Sequence, residues 1–562
     1  MRARPAPGRL LLAAAALTTT PLLTAPLSAQ YRDHAALTGA MRQVAARVGG
    51  RGELVTIATS PGGRVVQALR IGAAGRPSLL VVANAHGPHL IGSAVALAAA
   101  EQMASRTDGP TVWFIPRLNP DAAEAMLGAL KWERTANGSA WDADRDQATD
   151  EDGLDDLDGN GAITQMRLAD PNGAWMPDAQ DPRLLRRADA AKGEVGRFTI
   201  LTEGRDDDGD LRYNEDGPGG TDVNQNFSYG YPHHGSEAGN FPFESPEAKG
   251  LADFVTAHPE IAAIYVLGPQ DNLMKPWENR PNAGILNPQT NVRAMEGTSA
   301  GGPLNSIVRG DQATFADVGA RFQKTTGLSK GPSSAGLTGD VLSWSYFHFG
   351  RWAFGSRAWW VPDAPKDTTR GARAATSGGS DPLADERNAL KWFESQGIDA
   401  FVPWTSVTLA GERRAAEVGG FRPGALLNPP AGAELDSTLA RQSRFIGELA
   451  GMLPAIALRD VVVTALGEGV FRVEADVANT GALPTTTDLA SRLRMPRRIK
   501  VELGLGSATL LSGEKIQLVG PIDGGGRSTR LAWTVAARPG ATLQLSAESP
   551  VTGSATQTIT LR

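Results

Sequence analysis

Along the first part of the chain the apolar positions fall into short solid runs. Ser78-Leu-Leu-Val-Val-Ala83 and Thr111-Val-Trp-Phe-Ile115 read as buried strands, and the alanine-rich Leu90–Ala104 between them reads as a helix. Strand, helix, strand at this spacing predicts an α/β sheet. From Trp141 to Gly220 the periodicity fades into acidic, glycine-rich sequence, which reads as an insertion of irregular loops. The pattern returns with a helix over Pro246–His258, a buried strand over Ile261–Leu267 and a helix over Phe315–Thr326. Val341–Trp360 is dense in aromatics and is expected to be core, while Asp385–Gln396 and Ser443–Leu453 read as surface helices. After Pro454 the period becomes two. Runs at Val461–Thr464, Val470–Glu474, Ile499–Leu503, Leu531–Val535, Leu543–Ser546 and Thr558–Leu561 predict an all-β sandwich.

Composition narrows this picture. Of 562 residues, 41% are hydrophobic and 21% charged, which is the balance of a folded protein. The net charge of −6 lacks the basic footprint of a nucleic-acid binder. There is no cysteine, so disulfides, thiolate metal sites and a cysteine nucleophile are excluded. Arg2, Arg4 and Arg9 precede the apolar run Leu10–Leu17, and Leu27-Ser28-Ala29 precedes Gln30. This reads as a signal peptide over 1–29. No later stretch reaches about 18 apolar residues. The mature chain is therefore expected to be secreted or periplasmic, without a membrane anchor. Two domains follow from the patterning, 30–453 with its insertion at 141–220, and the β-sandwich at 454–562.

Four motifs occur in order. His86-Gly-Pro-His89 follows a strand, Asn119-Pro-Asp121 follows the next, then come Asp222-Val-Asn-Gln-Asn-Phe227 and Phe243-Glu-Ser-Pro-Glu247. Together they resemble the zinc carboxypeptidase family of the carboxypeptidase A type, over roughly residues 40–400. That family carries HxxE, NPDG, DxNRNF and a SEPE-like helix start. The branch with an acidic insertion before DxNRNF is the nearest in pattern, and Val477-Ala-Asn-Thr-Gly481 and Pro484-Thr485 also resemble its β-rich C-terminal domain. The resemblance implies a carboxypeptidase-like mixed sheet flanked by helices. It also implies zinc held by a His and a Glu of HxxE and by a later His, with a Glu as general base and two Arg on the substrate. Three protein ligands leave a position for water, whose pKa the metal lowers.

The chain departs from that pattern. His86 is retained, but the Glu of HxxE is His89. Leu267 or Gly268 stands where the second His is expected, and no His occurs between His258 and His348. The Arg of DxNRNF is Gln225, which forms no ion pair. Arg357 or a near neighbour stands where the general base is expected, with no acid from Arg351 to Pro362. No catalytic residue is assigned. His86 and His89 are the zinc candidates and need a third ligand from His233, His234, His348 or an acid. His233 and His234 read as a solvated loop pair, His348 as a packed core histidine. Asn224, Gln225 and Arg134 are the candidates for the substrate groove.

The aspartates suggest a different metal. Asp156-x-Asp158-x-Asn160-Gly161, followed by Ile163, matches the first half of an EF-hand loop, although position twelve is Arg167. Asp206-x-Asp208-x-Asp210 repeats the spacing, and Asp142-x-Asp144-x-Asp146 does so more loosely. Nine acids and one base lie between Asp142 and Asp158, a repulsion that a bound cation would relieve. Calcium at Asp156, Asp158, Asn160, Asp206, Asp208 and Asp210 is the expectation.

Three functions stand at this point. The first is a non-catalytic homologue binding a peptide, a cell-wall fragment or a protein partner. The second is an active zinc metallocarboxypeptidase removing C-terminal residues. The third is an adhesive surface protein acting through the β-sandwich.

Overall fold

A computed structural model of the chain describes residues 31–140, 154–206, 219–235, 237–277, 306–332, 338–365, 381, 383–409, 414–495 and 498–562. In chain order the elements begin with α1 (His34–Val48), β1 (Gly52–Thr59), β2 (Val65–Ile71), β3 (Ser78–Ala83), α2 (Leu90–Ala104), β4 (Thr111–Ile115) and α3 (Pro120–Leu127). Next come β5 (Gln165–Ala169), β6 (Trp175–Pro177), β7 (Leu185–Arg187), β8 (Phe198–Thr202), α4 (Pro246–Ala257), β9 (Ile261–Leu267), α5 (Gln312–Thr326), α6 (Val341–Phe347) and β10 (Trp352–Ser356). Then follow α7 (Ala384–Ser395), β11 (Phe401–Val407), β12 (Ala416–Phe421), α8 (Ala433–Ala450), β13 (Ile456–Gly467), β14 (Val470–Asn479) and α9 (Asp488–Arg492). The last are β15 (Ile499–Gly504), β16 (Thr509–Ser512), β17 (Ile516–Val519), β18 (Ser528–Ala536), β19 (Thr542–Ser549) and β20 (Gly553–Thr560).

The first sheet runs β1-β2-β4-β3-β9-β10. Strands β4, β3, β9 and β10 are parallel, and β1 and β2 at the other side of the sheet pair antiparallel. Every residue of β3 and β9 is buried. That explains their unbroken apolar runs, since a parallel sheet is covered on both faces. Helix α4 starts where the sequence places it. Ser245 Oγ accepts from Ala248 N at 3.1 Å, and Pro246 sits in the first turn. Helix α8 begins ten residues before the predicted start and is no surface helix. Leu435, Phe445, Ile446 and Leu449 bury one face in the main core.

The larger correction concerns the insertion. Strands β5 to β8 lie within it and join β11 and β12 in a second sheet, order β11-β12-β5-β8-β6-β7. Its strands are three to seven residues long and interrupt their apolar residues with Thr, Ser, Pro, Gly or a charge, so no long apolar run marks them. Met166, Leu168, Ala416 and Val418 form a small core on one face only.

The C-terminal strands form two four-stranded sheets, β13-β14-β18-β16 and β17-β15-β19-β20. Their inward residues, among them Val473, Val501, Trp533 and Leu545, make a separate core, as the period-two pattern predicts. Asp311 ties this sandwich to the α/β part. Its carboxylate is only 2% exposed. It accepts from Asp488 N at 2.7 Å, Leu489 N at 3.3 Å and the Tyr346 hydroxyl at 2.9 Å. Trp352 Nε1 adds a bond to Pro484 O at 2.9 Å.

Removing a buried acceptor strands its donors at about 1–3 kcal/mol. Asp311→Ala is expected to lower the thermal midpoint and to speed proteolytic cleavage between α8 and α9. An unchanged midpoint in calorimetry would show that the junction does not depend on this carboxylate.

Candidate functional site

Strands β3, β9 and β10 end level with one another, Ala83 pairing with Leu267 and Leu267 with Ser356. The crevice beyond the carboxyl ends of such strands is where open α/β sheets bind ligands. Whatever follows these three residues is forced into one place.

After β3 the chain turns through Asn84, whose φ is 57°. The Asn84 amide donates to Gly87 O at 2.7 Å and holds the turn. A side chain at Gly87 would meet Ala122 Cβ at 2.1 Å, so only glycine permits this approach to α3. Asn428 Oδ1 accepts from Ile91 N, and its amide donates to Pro88 O, both at 2.9 Å. This asparagine caps α2 from 337 residues away, and no local motif announces it. His89 is buried at the N-cap position of α2. Its Nε2 lies 2.8 Å from Arg357 O, a bond that spans the end of β9 from β3 to β10.

Arg357 follows β10 directly. Its Nε donates to Pro269 O at 3.0 Å, and Asp271 lies near enough to act on it electrostatically. Burial pushes the guanidinium pKa down, and Asp271 partly restores it. Burial first, and the Arg357 charge second, hold His86 down at about 4. His89 is held at about 3, chiefly by burial and then by His86. Both imidazoles are therefore neutral at neutral pH. Burial raises Asp271 to about 6 although Leu273 N and Met274 N both donate to it.

The groove candidates pair inward. Asn224 Nδ2 donates to Gln270 Oε1 at 3.1 Å. Gln225 Nε2 donates to Asp222 Oδ2 at 2.9 Å. Arg134 donates to the carbonyls of Asn137 and Gly219 and stacks over Trp132 at 5.2 Å. Asp121 of the Asn-Pro-Asp motif is a structural hub, accepting from Ser60, Gly62, Arg64 and Gly138. His348 is exposed at the end of α6, with Nδ1 2.9 Å from Ser228 Oγ, rather than packed in the core.

These residues do not complete a zinc site. The bond from His89 Nε2 to Arg357 O still leaves Nδ1 for a metal, but Leu267 is apolar, the Arg357 charge acts on His86, and among the described residues no third imidazole or carboxylate joins the two histidines. Among the described residues, one group of three imidazole or carboxylate side chains brings its ligand atoms within 4.8 Å of one another. It is Asp156, Asp158 and Glu203, in the second sheet.

There the EF-hand-like loop folds as its spacing implies. Asp156 Oδ1 accepts from Asn160 N at 3.0 Å and Oδ2 from Gly161 N at 2.7 Å, and Gly161 takes φ +78°. Asn160 Nδ2 donates to Asp158 Oδ2 at 2.9 Å. Glu203 is the residue that sequence reasoning missed. The pairing of β5 with β8 places it opposite Thr164, and it accepts from Leu157 N and Thr164 N, each at 2.8 Å. Burial, then the Asp158 charge, raises its pKa. Arg167 stacks between Phe198 and Trp404 at 4.8 and 4.4 Å and leaves position twelve without a ligand. Asp206 does not join the three carboxylates. Asp208, Asp210, Asp142, Asp144, Asp146 and the leader 1–29 lie outside the described residues.

The class is thus an α/β protein with a carboxypeptidase-like sheet and a crevice at its strand ends. Residues 37–181 match the family described as zinc carboxypeptidase. Residues 455–560 match a domain of unknown function (DUF8731). No curated protein matches the chain. Among solved structures, carboxypeptidase A from Helicoverpa armigera shares 11% identity over 58% of this chain and 63% of its own, at TM-score 0.35. The chain thus spans less than two thirds of that relative's length. Bovine thrombin-activatable fibrinolysis inhibitor, solved with tick carboxypeptidase inhibitor, shares 12% over 75% and 96%, at 0.34. A metallo-carboxypeptidase from Burkholderia cenocepacia shares 20% over 16% and 26%, at 0.14.

Asp222 offers a clean test of the crevice electrostatics. It is buried, and that burial raises its carboxyl to about 7, against about 4 when unfolded. Between these values the folded state alone holds the proton, so stability falls as pH rises from about 4 to about 7. Asp222→Asn is expected to gain on wild type steadily across that window in chemical denaturation. An offset independent of pH would show a carboxyl ionised throughout.

Proposed function

We propose that the chain is an exported, non-catalytic relative of the zinc carboxypeptidases, acting as a binding protein. One observation carries the reading. Arg357 at the end of β10 lays its guanidinium on Pro269 O and its own carbonyl on His89 Nε2. Where hydrolysis needs a metal with an open position and a base, a positive charge stands at the crevice and no third ligand joins His86 and His89 among the described residues. Gln225, bound to Asp222, provides no fork for a terminal carboxylate. Export rests on the first thirty residues, and no described helix is long and apolar enough to cross a membrane.

The mature protein, purified without chelators, is expected to hold far less than one zinc per chain. It is also expected to leave peptides with free C-termini intact in added zinc. Stoichiometric zinc, lost together with peptide hydrolysis in His86→Ala, would overturn the proposal in favour of an active metallocarboxypeptidase.

The insertion supports a calcium reading. Asp156 and Asp158 converge with Glu203, and the strand ladder supplies the acid that the loop lacks at position twelve. Hard oxygen ligands of this kind suit calcium. At calcium about 100-fold above its Kd, linkage is worth ~2.7 kcal/mol. Chelator is thus expected to lower the thermal midpoint of wild type and to leave Glu203→Gln unmoved. Equal midpoints with and without calcium in the wild type would refute the site.

A further inference from the structure

The second sheet has two unlike faces. Met166, Leu168, Ala416 and Val418 point to its small core. By strand alternation Gln165, Ile200 and Phe421 lie on the other side, and these three line an open cavity of about 1040 Å³. That is at the upper end of the range of about 300–1,000 Å³ typical of ligand pockets. Trp175, Phe401 and Trp404 add aromatic walls, and α7 closes one side with Glu386 and Arg387.

The rings are held in place. Arg187 lies over Trp175 at 5.1 Å and Arg167 over Trp404 at 4.4 Å, while Phe401 meets Phe421 edge-on at 5.3 Å. Trp404 Nε1 donates to Arg183 O at 2.8 Å.

The charges are mostly spent on one another. Arg186 grips Glu194 with both ends of its guanidinium, at 2.5 and 2.7 Å. Arg183 holds Asp181 at 2.7 Å, Lys192 holds Asp189 at 3.1 Å, and the buried Arg387 holds Asp178 at 2.6 Å. What remains is one of each sign. Arg187 has no carboxylate partner among the described residues. Glu386 Oε2 is buried and without a hydrogen-bond partner among them. The lining as a whole holds five acids and five bases, so it carries no formal net charge to attract an ionic ligand. A neutral ligand rich in hydroxyls would find both an acceptor and donors.

The floor also argues against an extended peptide. Strand β5 is paired on both sides, by β12 and β8. Its backbone groups are used in the ladder, so a peptide laid across the middle of this face would lack main-chain partners there. A sugar asks only for side chains and flat apolar surface.

We infer that this cavity binds a neutral oligosaccharide, its rings against Trp175 and Phe421 and its hydroxyls on Glu386 and Arg187. The site is separate from the crevice at β3, β9 and β10 and does not depend on whether that crevice is active. Isothermal titration of the full mature chain with cellohexaose, chitohexaose and maltohexaose tests it, with a neutral Ala/Gly hexapeptide as control. At least one hexaose is expected to bind with a Kd below about 1 mM and the peptide not at all. Binding is expected to weaken at least tenfold in Trp175→Ala. Should that variant fail to fold, Glu386→Gln on the surface of α7 serves instead, with a several-fold loss expected. Silence from all three sugars with folded wild type overturns the inference. So does sugar binding that neither variant weakens, or peptide binding of equal strength.

Discussion

The register of three parallel strands governs the crevice. Because Ala83, Leu267 and Ser356 stand level, the segments after them share one crevice whatever their side chains are. The bond from His89 Nε2 to Arg357 O then joins the outer two across the middle one. It fixes the start of α2 against the turn after β10. It also fixes the orientation of the His89 ring, leaving Nδ1 without a partner among the described residues. With Leu267 apolar between them, the crevice is built as a clasp between strands rather than as an open coordination site.

Electrostatics points the same way. The Arg357 guanidinium, whose charge lowers the His86 pKa, disfavours a further cation there. The acids that surround the crevice, Asp222, Asp271 and Asp340, are all raised by burial. They make hydrogen bonds to backbone amides and neighbouring side chains instead of facing a ligand. Asp222, Asn224, Gln225 and Gln270 form a network of mutual partners, which stiffens the fold, while His89 Nδ1 and Asn84 Oδ1 are buried without a partner among the described residues.

The sequence made the α/β sheet and the sandwich legible because their strands carry unambiguous periods. Solid apolar runs mark β3, β4 and β9, and strict alternation marks β14, β15 and β18. The second sheet escaped notice for a physical reason. Its strands are short, one face is aromatic and charged, and its core is five residues deep. His86, His89, Gln225 and Arg357 could be found because each sits in or near a local motif. Glu203, Asn428 and the Asp178–Arg387 pair could not. Their meaning comes from partners 39 to 337 residues away, and no spacing rule reaches that far.

The same ladder that hides Glu203 in the sequence gives the insertion its character. Pairing β5 with β8 delivers Glu203 to the Asp156 loop at one end and lays Arg167, Phe198 and Ile200 across the sheet face. A cation at the loop would rigidify the strand ends that carry the aromatic floor. In the crevice, Asn224, Gln225 and Asp222 are turned on one another. In the insertion, three carboxylates converge, and at the cavity Glu386 Oε2 has no hydrogen-bond partner among the described residues. Unmatched polar groups cost stability and persist where a ligand matches them. Glu386 Oε2 at the cavity of the second sheet is such a group, and so are His89 Nδ1 and Asn84 Oδ1 at the strand ends, among the described residues.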